Sequence, residues 1–369
     1  MNIALLHHWL VSMRGGEKVL EQFCRLMPDA EIHTLVRSRE EGALSETIRR
    51  HPIRTTLLDR LPGSERYYPS LLPLYPWFLQ NHPVEADFIL SSDAGMVKGM
   101  PHDPGVPHVC YCHSPPRYLY DMQEDYLEGL SSWKRPLFRA WVPRLRRFDR
   151  ETAGTVDRFI ANSAFVRDRI RRIYDRDAQV IHPPVDLSRF RADRPAGDYY
   201  LIVSALVSYK KVELAVRAFT MMDKPLVVCG EGPEKERLQK LAGPSVTVTG
   251  AQTAAQIRAR FEGCRAFVFP GVEDFGITPL EAQASGRPVI AYGEGGALET
   301  VVEGKTGLFF DEQSPGSLAD AVRRFEADEA RYTPGACRSN AERFGEGRFR
   351  EEIKDFLVSH YPSYFRGFW

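Results

Sequence analysis

Two glutamates eight residues apart, Glu273 and Glu281, lie in the segment Phe267-Val-Phe-Pro-Gly-Val-Glu-Asp-Phe-Gly-Ile-Thr-Pro-Leu-Glu-Ala-Gln-Ala-Ser-Gly286. In a chain this rich in acids the spacing means little by itself, so the setting decides. An apolar run, a glycine-containing loop and a helical pattern follow one another here. Thr278 is a natural N-cap, Pro279 suits the first helical position, and Glu281 then falls at the third, which completes a capping box. That accounts for Glu281 without function, but not for Glu273 and Asp274 in the loop before it. There the amides of Phe275, Gly276 and Ile277 lie at the positive end of a helix, a place suited to phosphate. Carboxylates beside a phosphate site can hold sugar and ribose hydroxyls.

Three further groups could do related chemistry. Lys210 and Lys211 follow a strand that ends near Leu206, where fixed cations can stabilise the charge that builds on a departing diphosphate. Arg14-Gly15-Gly16 stands between the first strand and the first helix, and its glycines let a phosphate approach the backbone closely. His113 ends an apolar strand, which puts it at a ligand-bearing edge; a satisfied core histidine is the plainer reading. Asp175-Arg176-Asp177 has the D-x-D form of a metal carrier, but it sits in a polar turn between helix and strand and reads as a solvated loop. The six cysteines are scattered through apolar runs and read as reduced core residues. Cys110 and Cys112 lack the further ligand pair that zinc needs.

The elements that must position these groups come in two series. Residues 2–8, 30–36, 86–91, 106–112 and 158–162 read as strands with helical patterns between them. A second, more regular series has strands at 199–206, 225–229, 246–249, 266–270 and 288–292, alternating with helices at 212–222, 234–241, 254–263, 279–285 and 297–302. Regular alternation argues for parallel sheets covered on both faces. The expectation is an α/β protein of two doubly wound, Rossmann-like domains facing each other across a cleft, joined by the proline-containing stretch from Ile181.

The 369 residues carry 49 basic and 49 acidic side chains, for a formal net charge of zero. A nucleic-acid-binding role is not expected from that balance. No apolar run reaches the roughly 18 residues a membrane-spanning helix needs, and the amino terminus starts a strand without a basic leader, so the expected location is cytoplasmic or peripheral. Residues 133–150 interleave Trp133, Leu137, Trp141 and Phe148 with seven lysines and arginines. Such a stretch either lies on an anionic membrane surface or packs as an ordinary helix with snorkelling arginines, and Pro136 and Pro143 argue against one continuous helix.

Taken in order, His7-His8-Trp9-Leu10, Met13 to Leu20, Tyr111 to Tyr118, Phe159 to Ser163, Tyr209-Lys210-Lys211, Gly230-Glu231-Gly232-Pro233 and the E-x7-E loop resemble glycosyltransferase family 4 over nearly the whole chain. Within that family the chain looks closest to the WbaZ-like mannosyltransferase group. The resemblance implies the two-domain GT-B fold, with an acceptor domain at 1–185, a nucleotide-sugar domain at 186–345, and a terminal helix and tail at 346–369 returning to the first domain. It implies a retaining, metal-independent hexosyltransferase with no cofactor beyond its nucleotide sugar, expected to be GDP-mannose. The acceptor would be a growing lipid-linked glycan of the bacterial surface, as in lipopolysaccharide or O-antigen synthesis, met at the inner face of the inner membrane.

The resemblance also assigns residues. Glu281 would hold the ribose; Glu273, Lys210, Lys211 and the backbone of Phe275, Gly276, Ile277 and Thr278 would hold the donor sugar and diphosphate; and Gly232 would lie beside the base. The loop at 250–252 would read the base through its backbone. Gly15 and Gly16 would close over the donor, and His113 would contact a sugar hydroxyl. Arg14, Ser114, Arg117, Asn162 and Ser163 are weaker candidates for the acceptor side. Many family members carry an arginine where this chain has Ala205, which leaves open whether Lys211 supplies that charge. A GT-B epimerase and a catalytically weak scaffold subunit are the competing readings.

Overall fold

A computed structural model describes residues 1–369, leaving aside the side chain of Glu128. The chain divides into two compact units, one made of Met1–Pro184 with Gly347–Trp369 and the other of Val185–Glu346.

The first unit holds strands β1 (Ile3–His7), β2 (Glu31–Thr34), β3 (Ile53–Thr55), β4 (Phe88–Asp93), β5 (His108–Cys112), β6 (Arg158–Ala161) and β7 (Ala178–Val180). They form one parallel sheet in the order β3-β2-β1-β4-β5-β6-β7. The second unit holds β8 (Tyr200–Val203), β9 (Leu226–Cys229), β10 (Val246–Gly250), β11 (Ala266–Phe269), β12 (Val289–Tyr292) and β13 (Gly307–Phe310). These are also parallel, in the order β10-β9-β8-β11-β12-β13. Both orders reverse direction once, between β1 and β4 and between β8 and β11, which makes each sheet doubly wound. The central strands are buried along their whole length, as at β1, β4 and β11, because helices cover both faces.

Two strands, β3 and β13, were not foreseen from the sequence, and β7 only as the strand, without bounds, that follows the Asp175–Asp177 turn. All three lie at sheet edges, and they span only three, three and four residues. A run that short gives too few alternations to register as a period.

The chain's last segment completes the first core. Helix Glu346–His360 buries Phe349, Ile353, Phe356 and Leu357 there. Phe349 stacks on Phe23 with ring centres 5.8 Å apart, and Phe365 meets Phe88 edge-on at 4.8 Å. The stretch around Pro136 and Pro143 is one continuous helix, Lys134–Ala153, contrary to the expectation of an interruption. Pro136 falls in the first turn, where the amides have no intrahelical partner anyway. Burial of Phe138, Val142, Leu145 and Phe148 holds the helix together past Pro143.

That helix also brings Asp149 into a buried ionic group. Lys98 Nζ stands 2.5 Å from Asp149 and 3.3 Å from Asp93, and all three side chains are at most 3% exposed. Tyr120 and Tyr174 each donate a hydroxyl to Asp149 at 2.9 Å. Burial dominates at Asp149, whose carboxyl is pushed up. At Asp93 burial acts the same way, but Lys98 and the amide of Gly95 outweigh it and hold the carboxyl low. Lys98→Met would leave two buried carboxylates without a counter-charge and should cost about 3–5 kcal/mol. Urea unfolding of the variant beside the wild type measures this; a loss below about 1 kcal/mol would mean that water reaches the group.

Candidate functional site

In a doubly wound sheet the ligand lies outside the carboxyl ends of the strands, where the strand order reverses. In the second unit that place is beyond β8 and β11. The loop after β8 carries Lys210, the loop after β11 carries Glu273, and the two loops touch. A Cβ on Gly271 would stand 2.9 Å from the Lys210 carbonyl oxygen, so the approach needs glycine. Across this contact the Lys210 ammonium pairs with the Glu273 carboxylate, the two side chains being 18% and 19% exposed. A second glycine, Gly296, braces the acidic loop from behind. The Gly296 amide donates to the Glu273 carbonyl at 2.9 Å, and a Cβ on Gly296 would fall 2.2 Å from Phe275 Cα.

The capping box expected from Thr278 and Glu281 does not form. Gly276 adopts φ 92° and serves as the N-cap, so the helix starts earlier, at Ile277–Ala284. Thr278 and Pro279 become its second and third residues, where a proline lacking an amide proton is harmless. Glu281 falls in the second turn, half-buried, with no cap to make. The Phe275 ring is buried against Leu280 and Phe344, so Phe275 offers a ligand only its backbone.

Lys210 and Lys211 diverge. Lys211 adopts φ 53° at the start of helix Val212–Met222 and lines an open groove of about 390 Å³ with Ser208, Arg217, Arg237 and Gln313. Gly232 is required by the crossing of two loops, since a Cβ there would stand 2.3 Å from the Leu206 carbonyl oxygen. In the loop at 250–252, the Ala251 amide donates to the Glu231 carboxylate at 2.9 Å and the Gly250 carbonyl accepts the Gly230 amide at 3.0 Å.

In the first unit the corresponding edge lies beyond β1 and β4. Gly15 and Gly16 open helix Gly15–Leu26, with the exposed Arg14 as its N-cap. A Cβ on Gly16 would stand 3.4 Å from a ring carbon of both His7 and His8, and 3.7 Å from His113 Nε2. Three histidine rings thus gather under this turn. The His113 backbone is fixed at both ends: its amide donates to the Asp93 carbonyl at 2.8 Å, and its carbonyl accepts from Asn162 Nδ2 at 2.9 Å. Ser163 caps helix Ala164–Tyr174 through the Val166 amide and donates to Asn162 at 2.9 Å. Ser114 donates to the Pro115 carbonyl at 2.9 Å and accepts from Arg169. Ser114, Asn162 and Ser163 therefore brace the end of β5. Arg117 lies in the same turn, 3.7 Å from Met122 Sδ.

Asp175, at φ 53°, ends its helix, and Asp177 pairs with Arg171 at the surface. All six cysteines are buried thiols.

The chain matches the family model described as Glycosyltransferase Family 4 over residues 13–189 and the one described as Glycosyl transferases group 1 over 188–344. The chain belongs to glycosyltransferase family 4. It is 34% identical over 201 residues to a GDP-mannose-dependent alpha-(1-6)-phosphatidylinositol monomannoside mannosyltransferase of Mycobacterium tuberculosis, which covers 46% of this chain and 52% of that protein. It is 30% identical over 233 residues to a D-inositol 3-phosphate glycosyltransferase of Streptomyces avermitilis, covering 53% and 50%. The chain thus spans about half the length of these curated relatives. The crystal structure of Anabaena HepE in complex with UDP and glucose superposes with a TM-score of 0.71 over 97% of this chain and all of that one, at 16% identity, a likeness of fold. This member of the family has the GT-B fold.

In this family 4 chain, His7, His8, Glu17 and Ser92 also stand at the edge beyond β1 and β4. The signal for them was His7-His8 at the end of the first strand, which served only as a family match. Burial, and then the neighbouring His7, push His8 down to about 4; burial, and then His8 and His7, push His113 down to about 3. Both rings are neutral at pH 7. His7, His8 and Glu17 bring ligating atoms within 4.8 Å of one another, the one such metal-capable group among the described residues. The His7 and His8 Nδ1 atoms meet the Ser92 hydroxyl and carbonyl, a Glu17 oxygen accepts the Arg14 amide, and His7 Nε2 has no hydrogen-bond partner among the described residues.

Proposed function

We propose that this glycosyltransferase moves mannose from GDP-mannose to a growing, lipid-linked bacterial surface glycan with retention of configuration and without a divalent metal. The Lys210–Glu273 pair at the start of helix Ile277–Ala284 carries the reading. It sets a cation and first-turn amides where a diphosphate would lie, and a carboxylate where a sugar would lie. The GDP-mannose-dependent relatives support the choice of donor.

In this mechanism the bond from the sugar's anomeric carbon to the diphosphate oxygen breaks. The acceptor oxygen bonds to that carbon on the same face, and its proton passes to the departing diphosphate. Lys210 stabilises the charge that the diphosphate gains, and no side chain forms a covalent intermediate.

GDP-mannose, GDP-fucose, UDP-glucose, UDP-galactose and UDP-N-acetylglucosamine, each followed for binding and nucleoside diphosphate release in EDTA, test this reading. Acceptor-stimulated release of GDP from GDP-mannose is expected with a lipid extract present. Loss of activity in EDTA, or inverted product stereochemistry, sinks the mechanism. A UDP-sugar response moves the donor, an epimer formed from donor alone moves the reaction class, and binding without release favours a scaffold.

The same reading places the chain on an anionic membrane. Trp133, which precedes helix Lys134–Ala153, and Leu137 turn outward, 69% and 56% exposed, on the side that carries the exposed Arg144 and Arg147. Basic and apolar side chains sharing a solvent face suit a headgroup boundary. The chain should sediment with phosphatidylglycerol vesicles and not with phosphatidylcholine ones, and Arg144→Glu with Arg147→Glu should abolish the difference. Equal binding to both vesicles would overturn this.

A further inference from the structure

The edge beyond β1 and β4 holds a row of side chains that runs from Glu17 through His7 and Ser92 to His113. His7 Nε2 lies 3.6 Å from Glu17 Oε1, and Ser92 Oγ lies 3.1 Å from His7 Nδ1 and 2.8 Å from His113 Nε2. His8 stands beside the row, its ring centre 4.2 Å from that of His7. At 3.6 Å the contact of His7 Nε2 with the carboxylate is too long for a hydrogen bond. This nitrogen has no hydrogen-bond partner among the described residues, although His7 is 0% exposed. A buried polar atom so placed is costly unless a ligand or an ion meets it.

The surrounding donors suit a transition metal. One nitrogen from each of His7 and His8 and one Glu17 oxygen lie within 4.8 Å of one another, and the three residues are at most 5% exposed. Zinc held tetrahedrally at about 2.0–2.2 Å from each donor sets its ligand atoms roughly 3.4 Å apart. The His7–Glu17 contact is already near that spacing, and a shift of the His8 ring on the order of 1 Å closes the triangle. Each ligand is also tied to the frame by its other polar atom, as ligands are around metal centres. His8 Nδ1 donates to the Ser92 carbonyl at 3.3 Å, His7 Nδ1 meets the Ser92 hydroxyl, and the second Glu17 oxygen accepts the Arg14 amide at 2.9 Å. An ion takes His7 Nε2 whatever the charge of that ring beforehand, by displacing any proton it carries. Two imidazoles and one carboxylate favour zinc, cobalt or nickel over magnesium and calcium, which take oxygen ligands.

We propose that His7, His8 and Glu17 bind one divalent ion of the zinc, cobalt and nickel class, which ties the end of β1 to the first turn of helix Gly15–Leu26. The Gly15–Gly16 turn lies over the site, since a Cβ on Gly16 would stand 3.4 Å from a ring carbon of each histidine. A bound ion therefore fixes that turn as well, through Glu17, the third residue of the helix. The site is separate from the transfer mechanism. All three ligands belong to the first unit and Lys210 and Glu273 to the second, and no step proposed above runs through the ion.

The test uses the full chain, stripped with EDTA, dialysed, and titrated with Zn²⁺ or Co²⁺ alone. One ion per chain is expected, bound at micromolar concentration or below. Co²⁺ should give the visible absorption of a four- or five-coordinate site, and X-ray absorption of the Zn²⁺ form should show two imidazoles, oxygen and no sulfur. Zn²⁺ at about a hundredfold its Kd should raise the melting temperature by about 5 °C, and Mg²⁺ at the same concentration should not. Glu17→Gln and His8→Gln should each weaken Zn²⁺ binding at least about tenfold, whereas His33→Gln, at the separate His33–His82 pair, should leave it unchanged. The wild-type X-ray absorption spectrum reads the ligands even where a variant does not fold. No saturable one-to-one binding, a sulfur or single-imidazole shell, an equal shift with Mg²⁺, or binding that survives both ligand variants overturns the site.

Discussion

Glu273→Gln should lower turnover roughly 100- to 1,000-fold, the scale on which a fixed electrostatic group acts at a transition state. Donor affinity should change by less than about threefold, because the intact donor sugar carries no positive charge for the carboxylate to meet. The amide keeps the shape of the side chain and can still hold a hydroxyl, so what it removes is charge. That charge has two uses at this position. It faces Lys210 across a contact only about one-fifth exposed, fixing the ammonium at the edge beyond β8 and β11. In the proposed mechanism it also stands where an oxocarbenium-like sugar would need a negative neighbour as its bond to the diphosphate lengthens. Steady-state kinetics together with titration of the bound donor separates the two quantities. Equal losses in kcat and affinity would assign Glu273 to binding alone, and no loss in either would remove the Lys210–Glu273 pair from the mechanism.

Much of this arrangement was legible in the residues. Strong alternation of apolar runs and helical patterns marked the central strands, because a sheet covered on both faces demands continuous apolar segments. It failed at β3, β7 and β13, edge strands too short to show a period. The helix start at Gly276 was misplaced for a local reason: Thr278-Pro279 is a good cap signal, but a glycine able to take φ 92° two residues earlier allowed the helix to begin sooner. Tertiary crowding behind that loop, where Gly296 backs onto Phe275, leaves no mark in local sequence beyond two adjacent glycines. The row from Glu17 to His113 joins residues far apart in the chain, and only the pairing of β1 with β4, which sets His7 beside Ser92, brings it together.

Acidification from pH 7 to pH 5 should destabilise the chain by several kcal/mol, well before its carboxylates titrate. Burial, reinforced by neighbouring histidines, pushes His8 and His33 down to about 4, and His108 and His113 down to about 3, from an ordinary value of 6.5. Each of these rings stays neutral in the folded chain at pH 5, whereas in the unfolded chain it takes up a proton below 6.5. Protons therefore bind the unfolded state in excess, and stability falls with pH. The contribution is intact above about 6.5 and is lost progressively down to the folded values. At pH 5 the unfolded chain gains about 2 kcal/mol per histidine, so four such rings can remove a large part of a typical stability of about 5–15 kcal/mol. Glu17, held near 2, adds to the loss only below its ordinary value of 4.5. Thermal or urea unfolding across pH 7.5 to 4.5 measures the slope, and His108→Asn should flatten it by about one histidine's share if the variant folds. A stability constant between pH 7 and pH 5 would mean that these rings take up protons in the folded chain as readily as in the unfolded one.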